Sequence, residues 1–252
     1  MYVPLARRAF KLMEVAPVEG CLVEFGVYKG DGLRIMSRLA KEHLRVPQAL
    51  YGFDSFEGMP ATAAPLEGGL AHDWGRGAFS DVSMETVRGY LDGNGIRARL
   101  VKGIFSDLSS LADFGIEKVR FAHIDADIYE GYRDALHLLT PHIQVGTVML
   151  FDEVMPLTDP RYQSIRMHGK RALADWERAT GLNLHLIRFE SGAALCVIVD
   201  ALYLERFADA IIRLRRDEVI ESLGNIARCL FGESVVTYLK RARRSALRRI
   251  RG

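Results

Sequence analysis

Phe121-Ala122-His123-Ile124-Asp125-Ala126-Asp127-Ile128-Tyr129 decides the reading of this chain. An apolar run that breaks off in carboxylates reads as a buried strand whose last residues emerge at the carboxyl edge of a parallel sheet, where open α/β folds place their ligands. A second run ends the same way, at Phe151-Asp152-Glu153. Asp125, Asp127, Asp152 and Glu153 then converge on one edge. Left uncompensated, such carboxylates raise one another's pKa, so the cluster implies a bound cation, a shared proton or a basic partner. Either strand-end aspartate alone reads equally well as a helix cap or a loop acid. Two strands ending alike favour a site.

Working outward from that stretch, the 252 residues suffice for one large α/β domain or two small ones. The hydrophobic content of 49% and charged content of 26% are ordinary for a globular protein. No apolar run approaches the roughly 20 residues of a membrane span and no signal-peptide core is visible, so no transmembrane segment and a cytoplasmic location are expected. Cys21, Cys196 and Cys229 are far apart without CxxC spacing, which argues against a disulfide framework or a zinc site. The net charge of +2 is uneven: Lys240, Arg241, Arg243, Arg244, Arg248, Arg249 and Arg251 contribute seven positive charges without an acid, leaving about −5 on residues 1–239.

Upstream, residues 4–15 form a loosely amphipathic helix that stops before Pro17, and residues 1–19 are read as an N-terminal helix or lid. Cys21 to Gly32 is an apolar run breaking into glycines ahead of a helical pattern to about Leu44, hence a strand, a glycine turn and a helix N-terminus that favours polar or negative groups. Ala49 to Asp54 is a second strand ending in an acid, the position at which nucleotide-binding α/β folds hold ribose hydroxyls, with Ser55 and Phe56 beside it. Residues 60–80, rich in Gly, Ala and Pro and containing His72 and Trp74, read as a lid or substrate loop.

A helix over Met84 to Asp92, a strand over Ala98 to Lys102 and a turn at Gly103-Ile104-Phe105-Ser106 come next. The strand Val119 to Asp125, the helix Tyr129 to Leu139 and the strand Thr147 to Asp152 complete the centre. A proline-bearing loop leads to a helix beginning near Lys170. Leu184 to Phe189 and Ala194 to Val199 are joined by too few residues for a crossover helix and must pair as an antiparallel hairpin. The expected fold is therefore α/β: a mostly parallel seven-stranded sheet closed by a C-terminal antiparallel hairpin strand, helices on both faces. One domain spans 1–200. Residues 201–252 read as a helical extension with a basic tail, packing on the domain or on a second subunit as a homodimer.

In this order the features resemble the class I S-adenosylmethionine-dependent methyltransferases and, more closely, the macrocin O-methyltransferase family. The matching stretches are VEFGVYKG at 23–30, YGFDSFEGMP at 51–60, LVKGIF at 100–105, HIDADIYEG at 123–131 and FDE at 151–153. The resemblance implies a Rossmann-like methyltransferase fold that moves a methyl group from S-adenosylmethionine to a sugar hydroxyl of a glycosylated natural product, oligosaccharide or other glycoside. It implies that Glu24, Gly26, Tyr28 and Gly30 surround the methionine end of the cofactor, that Asp54 holds the ribose, and that Ser55, Phe56, Gly103, Phe105 and Asp125 complete the cofactor site. It further implies that Asp125, Asp152 and Glu153 bind a divalent cation while Asp127 acts as general base. Carboxylates without Cys or a His cluster suit a hard cation, Mg²⁺ first, with Ca²⁺ or Mn²⁺ as substitutes.

His123, two residues before the strand end, reads as a satisfied interior histidine, with a role as base the alternative. The second acid of the later pair is Glu153 where the family has aspartate, so its coordination is expected to differ. Acceptor contacts are expected from loops, with His72, Trp74, Tyr129, Tyr162 and His168 as candidates. Other readings are a catechol-type or phenol O-methyltransferase, and a non-enzymatic cofactor-binding protein that docks through its basic tail; no specific nucleic-acid partner is expected. A nicotinamide dehydrogenase is disfavoured because the first turn lacks GxGxxG spacing.

Overall fold

In the computed structural model, residues 1–44, 48–60, 76–152, 154 and 163–207 are described, the side chains of 163–168 excepted. Seven strands form one sheet: β1 (Cys21–Phe25), β2 (Leu50–Asp54), β3 (Arg99–Lys102), β4 (Val119–Ile124), β5 (Val148–Phe151), β6 (Leu184–Glu190) and β7 (Ala193–Ile198). Their order is β3-β2-β1-β4-β5-β7-β6. β1 to β5 are mutually parallel, and β7 runs antiparallel to both β5 and β6. The chain reverses its direction of travel across the sheet between β1 and β4, and that switch point is where doubly wound sheets open a crevice.

The helices are α1 (Val3–Val15), α2 (Asp31–His43), α3 (Met84–Gly93), α4 (Tyr129–Leu139) and α5 (Gln163–Thr180). Alternation along β4 sorts them into layers, because successive strand residues point to opposite faces. Phe121 meets Phe10 of α1 with ring centroids 5.3 Å apart, whereas Ala122 and Ile124 share a core cluster with Tyr132 of α4 and Trp176 of α5. Each fully buried side chain of this size contributes roughly 1.5–3 kcal/mol. β4 and β5 are buried along their whole length, as continuous apolar runs of a parallel sheet should be.

Two local features position the site. Cys21 pairs with Val119 but Leu22 pairs with Phe121, so Arg120 is an extra residue that bulges out of the β1/β4 ladder. The guanidinium of Arg120 donates from Nη2 to the Met13 carbonyl in the last turn of α1 (3.2 Å). Because of that one-residue step, Glu24 stands opposite His123.

The second feature is the start of α5. Residue spacing places it near Lys170, yet the helix begins at Gln163. Gly169 lies inside it, and a Cβ there would lie 3.1 Å from both Tyr132 and Val154. The glycine permits close approach of α5 to α4 rather than ending the helix. The turn expected after β3 is a 3-10 helix at Phe105–Asp107, and a further one at Leu111–Phe114 has no counterpart in the sequence reading.

Candidate active site

The glycine turn after β1 is built around Asp54. Its Oδ2 accepts from the backbone N–H groups of Val27 (2.8 Å) and Tyr28 (2.9 Å), and its Oδ1 accepts from that of Phe56 (2.8 Å). Three of the roughly four acceptor positions of a carboxylate are thereby used on the protein's own backbone. Tyr28 and Phe56 are held at φ 47 and φ 51, left-handed values that a non-glycine residue adopts only under constraint. Gly26, at φ 86, abuts the end of β4: a Cβ there would lie 1.9 Å from the Asp125 carbonyl oxygen. Only glycine lets the ends of β1 and β4 come together in this way.

Above this turn lies a cavity of about 470 Å³, within the size range of small-molecule sites. Gly26, Tyr28, Asp54 and Ser55 line one side and Gly103 and Phe105 another. Asp125 and Asp127 line it at the end of β4. Asp127 has φ 56, so that with Tyr28 and Phe79 (φ 63) three non-glycine residues of the lining stand in the left-handed region. A wall that sequence reasoning missed comes from α4, where Glu130, Arg133 and Asp134 share a face by their three-to-four-residue spacing. Arg133 pairs there with Asp134 at 2.7 Å.

Several expected cofactor residues stand outside the lining. Phe56 is buried beside the turn, and Gly30 is the left-handed N-cap of α2, where a Cβ would lie 3.1 Å from Val87 of α3. Glu24 is buried behind the wall, packed so closely on Gly32 that a Cβ there would meet its Oε1 at 1.7 Å. Tyr129 turns away from the cavity: its hydroxyl donates to Asp175 Oδ2 (3.0 Å), and Arg171 lies over its ring at 5.2 Å. His72, Trp74, Glu153 and Tyr162 lie outside the described residues, as does the side chain of His168.

Behind the cavity a polar line crosses three strands. Glu24 Oε1 is 2.8 Å from His123 Nδ1, and His123 Nε2 is 3.2 Å from Asp152 Oδ2. Glu24 and His123 are both buried, and Glu24 Oε2 has no hydrogen-bond partner among the described residues. Burial works to lower the His123 pKa, but hydrogen bonds and charge from Asp152 and Glu24 outweigh it and push it up to about 9. Without another cation the ring is an imidazolium donating at both ends. Asp152 is driven the other way: burial opposes its charge, yet His123 and the Met1 ammonium hold it well below the usual carboxylate range. The hydroxyl of Tyr132 donates to the Asp152 carbonyl and fixes the backbone at the end of β5.

The Met1 amino group lies 3.0 Å from Asp152 Oδ2 and 3.9 Å from Asp125 Oδ2. His123, Asp125 and Asp152 each offer a ligand atom, all within 4.8 Å of one another. A ligand set of two carboxylates and an imidazole fits a divalent ion. This convergence of Asp125 and Asp152 is what two runs ending in acids imply. His123 is the satisfied interior histidine expected, buried with both ring nitrogens partnered, by Glu24 and by Asp152.

Sheet order, hairpin and a site at the carboxyl edge together define a class I methyltransferase-like fold. Among solved structures the chain is similar to the O-methyltransferase NovP (TM-score 0.63, 23% identity, 79% of each chain covered). It is also similar to the calicheamicin methyltransferase CalS11 (TM-score 0.59, 19% identity, covering 77% of this chain and 78% of that one). The family model described as macrocin O-methyltransferase (TylF) matches residues 6–187. The chain belongs to that family.

Two Streptomyces proteins are similar in sequence. One is the 8-demethyl-8-(2,3-dimethoxy-alpha-L-rhamnosyl)-tetracenomycin-C 4'-O-methyltransferase of Streptomyces olivaceus, 29% identical over 142 residues, covering 54% of this chain and 53% of that protein. The other is the demethyldecarbamoylnovobiocin O-methyltransferase of Streptomyces niveus, 30% identical over 146 residues, covering 55% of this chain and 54% of that protein. The chain thus spans about half the length of the curated relatives it matches.

Proposed function

We propose that this protein is an S-adenosylmethionine-dependent O-methyltransferase that methylates a sugar hydroxyl on a glycosylated small molecule, using a divalent cation. The observation that carries the reading is the meeting of Asp125 and Asp152, with ligand atoms within 4.8 Å of one another, at the lip of a cavity floored by the β1 glycine turn. Membership of the macrocin O-methyltransferase family supports the chemistry. The rhamnosyl acceptor named for one relative supports a deoxysugar glycoside as the acceptor class.

When bound, the cofactor would supply an electrophilic methyl group and the divalent cation would supply Lewis acidity toward the acceptor hydroxyl. Asp125 and Asp152, with Glu153, hold the cation. Gly26 and Tyr28 receive the methionine end of the cofactor and Asp54 its ribose, through the Oδ1 position its backbone bonds leave over. Ser55, Gly103 and Phe105 border the adenosine. Asp127, which lines the cavity beside Asp125, would take the proton of the acceptor hydroxyl as general base. Holding donor and acceptor in line supplies a large part of the acceleration.

The test is transfer of a radiolabelled methyl group from S-adenosylmethionine by purified full-length protein across rhamnosides, other deoxyhexosides, underivatised hexosides and catechols. Labelling of a glycoside at its sugar is the expected result. Labelling of catechols alone would replace the acceptor assignment, and no labelling of any acceptor despite cofactor binding would overturn the activity.

A further inference from the structure

Asp125 and Asp152, read as cation ligands, leave a buried histidine beside them without a role. His123 is aimed into the same cluster from β4, and the Arg120 bulge sets it opposite Glu24. Resting on that reading of the two aspartates, we infer that His123 is itself a ligand of the cation through Nε2, with Glu24 as the carboxylate that orients its ring, so that the site prefers Mn²⁺ and later transition ions over Mg²⁺.

Three observations carry this. First, the 3.2 Å between His123 Nε2 and Asp152 Oδ2 suits neighbouring ligands on one ion: an octahedral ion with ligands at about 2.1 Å sets adjacent ones about 3.0 Å apart. A second is the partner of Nδ1. Glu24 Oε1 at 2.8 Å takes the Nδ1–H, so that an ion replacing the Nε2 proton would meet a lone pair on the side of Asp125 and Asp152. Metal-bound histidines generally give their other ring N–H to a carboxylate or carbonyl in this way. Third, Glu24 is buried, does not line the cavity, and bonds His123 through one oxygen while the other has no hydrogen-bond partner among the described residues. A buried charge so placed costs stability unless a positive group stands close by. The imidazolium provides one when no ion is bound, and a divalent ion in place of its Nε2 proton would keep positive charge there.

The consequence concerns which metal is used. A site of oxygens alone favours Mg²⁺ or Ca²⁺, whereas an imidazole nitrogen favours Mn²⁺, Fe²⁺, Co²⁺ or Zn²⁺. A loaded ion displaces the Met1 ammonium from Asp152 and replaces any proton on Nε2.

The test loads the full chain, saturated with S-adenosylhomocysteine, with MnCl₂ or MgCl₂ and measures affinity by calorimetry and metal environment by pulsed electron paramagnetic resonance. In the wild type, Mn²⁺ binds more tightly than Mg²⁺ and its spin echo carries modulation from a coordinated imidazole nitrogen. His123→Gln removes that modulation and lowers the Mn²⁺:Mg²⁺ affinity ratio by about 10-fold or more. Glu24→Gln weakens Mn²⁺ by about 10- to 100-fold while keeping the modulation. Bound Mn²⁺ without nitrogen modulation, or modulation and selectivity that survive His123→Gln, would overturn the inference.

Should His123→Gln fail to fold, crystals of the wild type soaked in Mn²⁺ decide the matter. An anomalous peak within about 2.4 Å of His123 Nε2 supports the assignment, and one held by carboxylates alone refutes it. If no divalent ion binds anywhere near Asp125 and Asp152, the cation part of the proposed function fails with it. Tight Mg²⁺ binding by oxygens alone sinks only the role given to His123.

Discussion

Asp54→Asn is the substitution whose cost can be worked most directly from the site. The wild-type carboxylate accepts three backbone N–H groups, two on Oδ2 and one on Oδ1. An amide of the same shape keeps the Val27 and Tyr28 bonds in its better orientation, but as neutral ones, and turns an NH₂ group toward the Phe56 N–H. Weakening two charge-assisted bonds costs about 1 kcal/mol each, and stranding one donor about 1–3 kcal/mol. Water reaches a half-buried group and recovers part of this, so the net loss is about 2–4 kcal/mol, a large share of an ordinary domain's 5–15 kcal/mol. Urea unfolding should show a lower midpoint at unchanged slope. S-adenosylhomocysteine binding should weaken as well, because the same bonds shape the turn at the cavity. The strain at Tyr28 gives an internal control: in the Asp54→Asn background, Tyr28→Gly should restore roughly 1 kcal/mol, since glycine accepts φ 47 freely. An Asp54→Asn protein within about 0.5 kcal/mol of wild type would refute the view that this carboxylate is the keystone of the turn.

Other substitutions probe neighbouring parts of the site. Gly26→Ala forces a Cβ to 1.9 Å from the Asp125 carbonyl at a positive φ, and should cost roughly 3 kcal/mol or more in urea unfolding, or prevent soluble expression. Gly169→Val presses on Tyr132 and Val154; because the Tyr132 hydroxyl holds the Asp152 carbonyl, calorimetry should find cation affinity lowered alongside stability. Burial pushes the thiols of Cys21 and Cys196 up to about 12. Thiolate is therefore scarce at pH 8, and both thiols should resist iodoacetamide until the chain is unfolded, as peptide mapping by mass spectrometry would report.

How far each feature is legible in the sequence depends on how locally it is encoded. Runs such as 119–125 and 148–152 carry strand identity, burial and a terminal acid within a few residues, so sheet content, the hairpin and the meeting of Asp125 with Asp152 are legible. The Glu24–His123 pairing is not, because it depends on register between β1 and β4, and the extra residue Arg120 shifts that register by one. A weak signal is present, as a lone polar residue near the end of each of these two apolar strands. Helix α5 starts seven residues before Lys170 and runs through Gly169, whose small size answers to Tyr132 on another helix. Asp54 is legible as a site acid, but its three backbone bonds belong to a turn whose geometry no residue type announces. The α4 wall at Glu130, Arg133 and Asp134 is within reach of helical spacing and is overlooked beside the louder aspartates before it.

Asp125 and Asp152 are held to bind a divalent ion that methyl transfer requires, and chelation tests this most directly. Wild-type protein stripped with a chelator and desalted should lose methyl transfer to its glycoside and regain it on addition of Mg²⁺ or Mn²⁺. Asp125→Asn should bind S-adenosylhomocysteine nearly as wild type yet stay inactive at any concentration of either ion. Full methyl transfer by the stripped wild type, or by Asp125→Asn without added metal, would contradict the account.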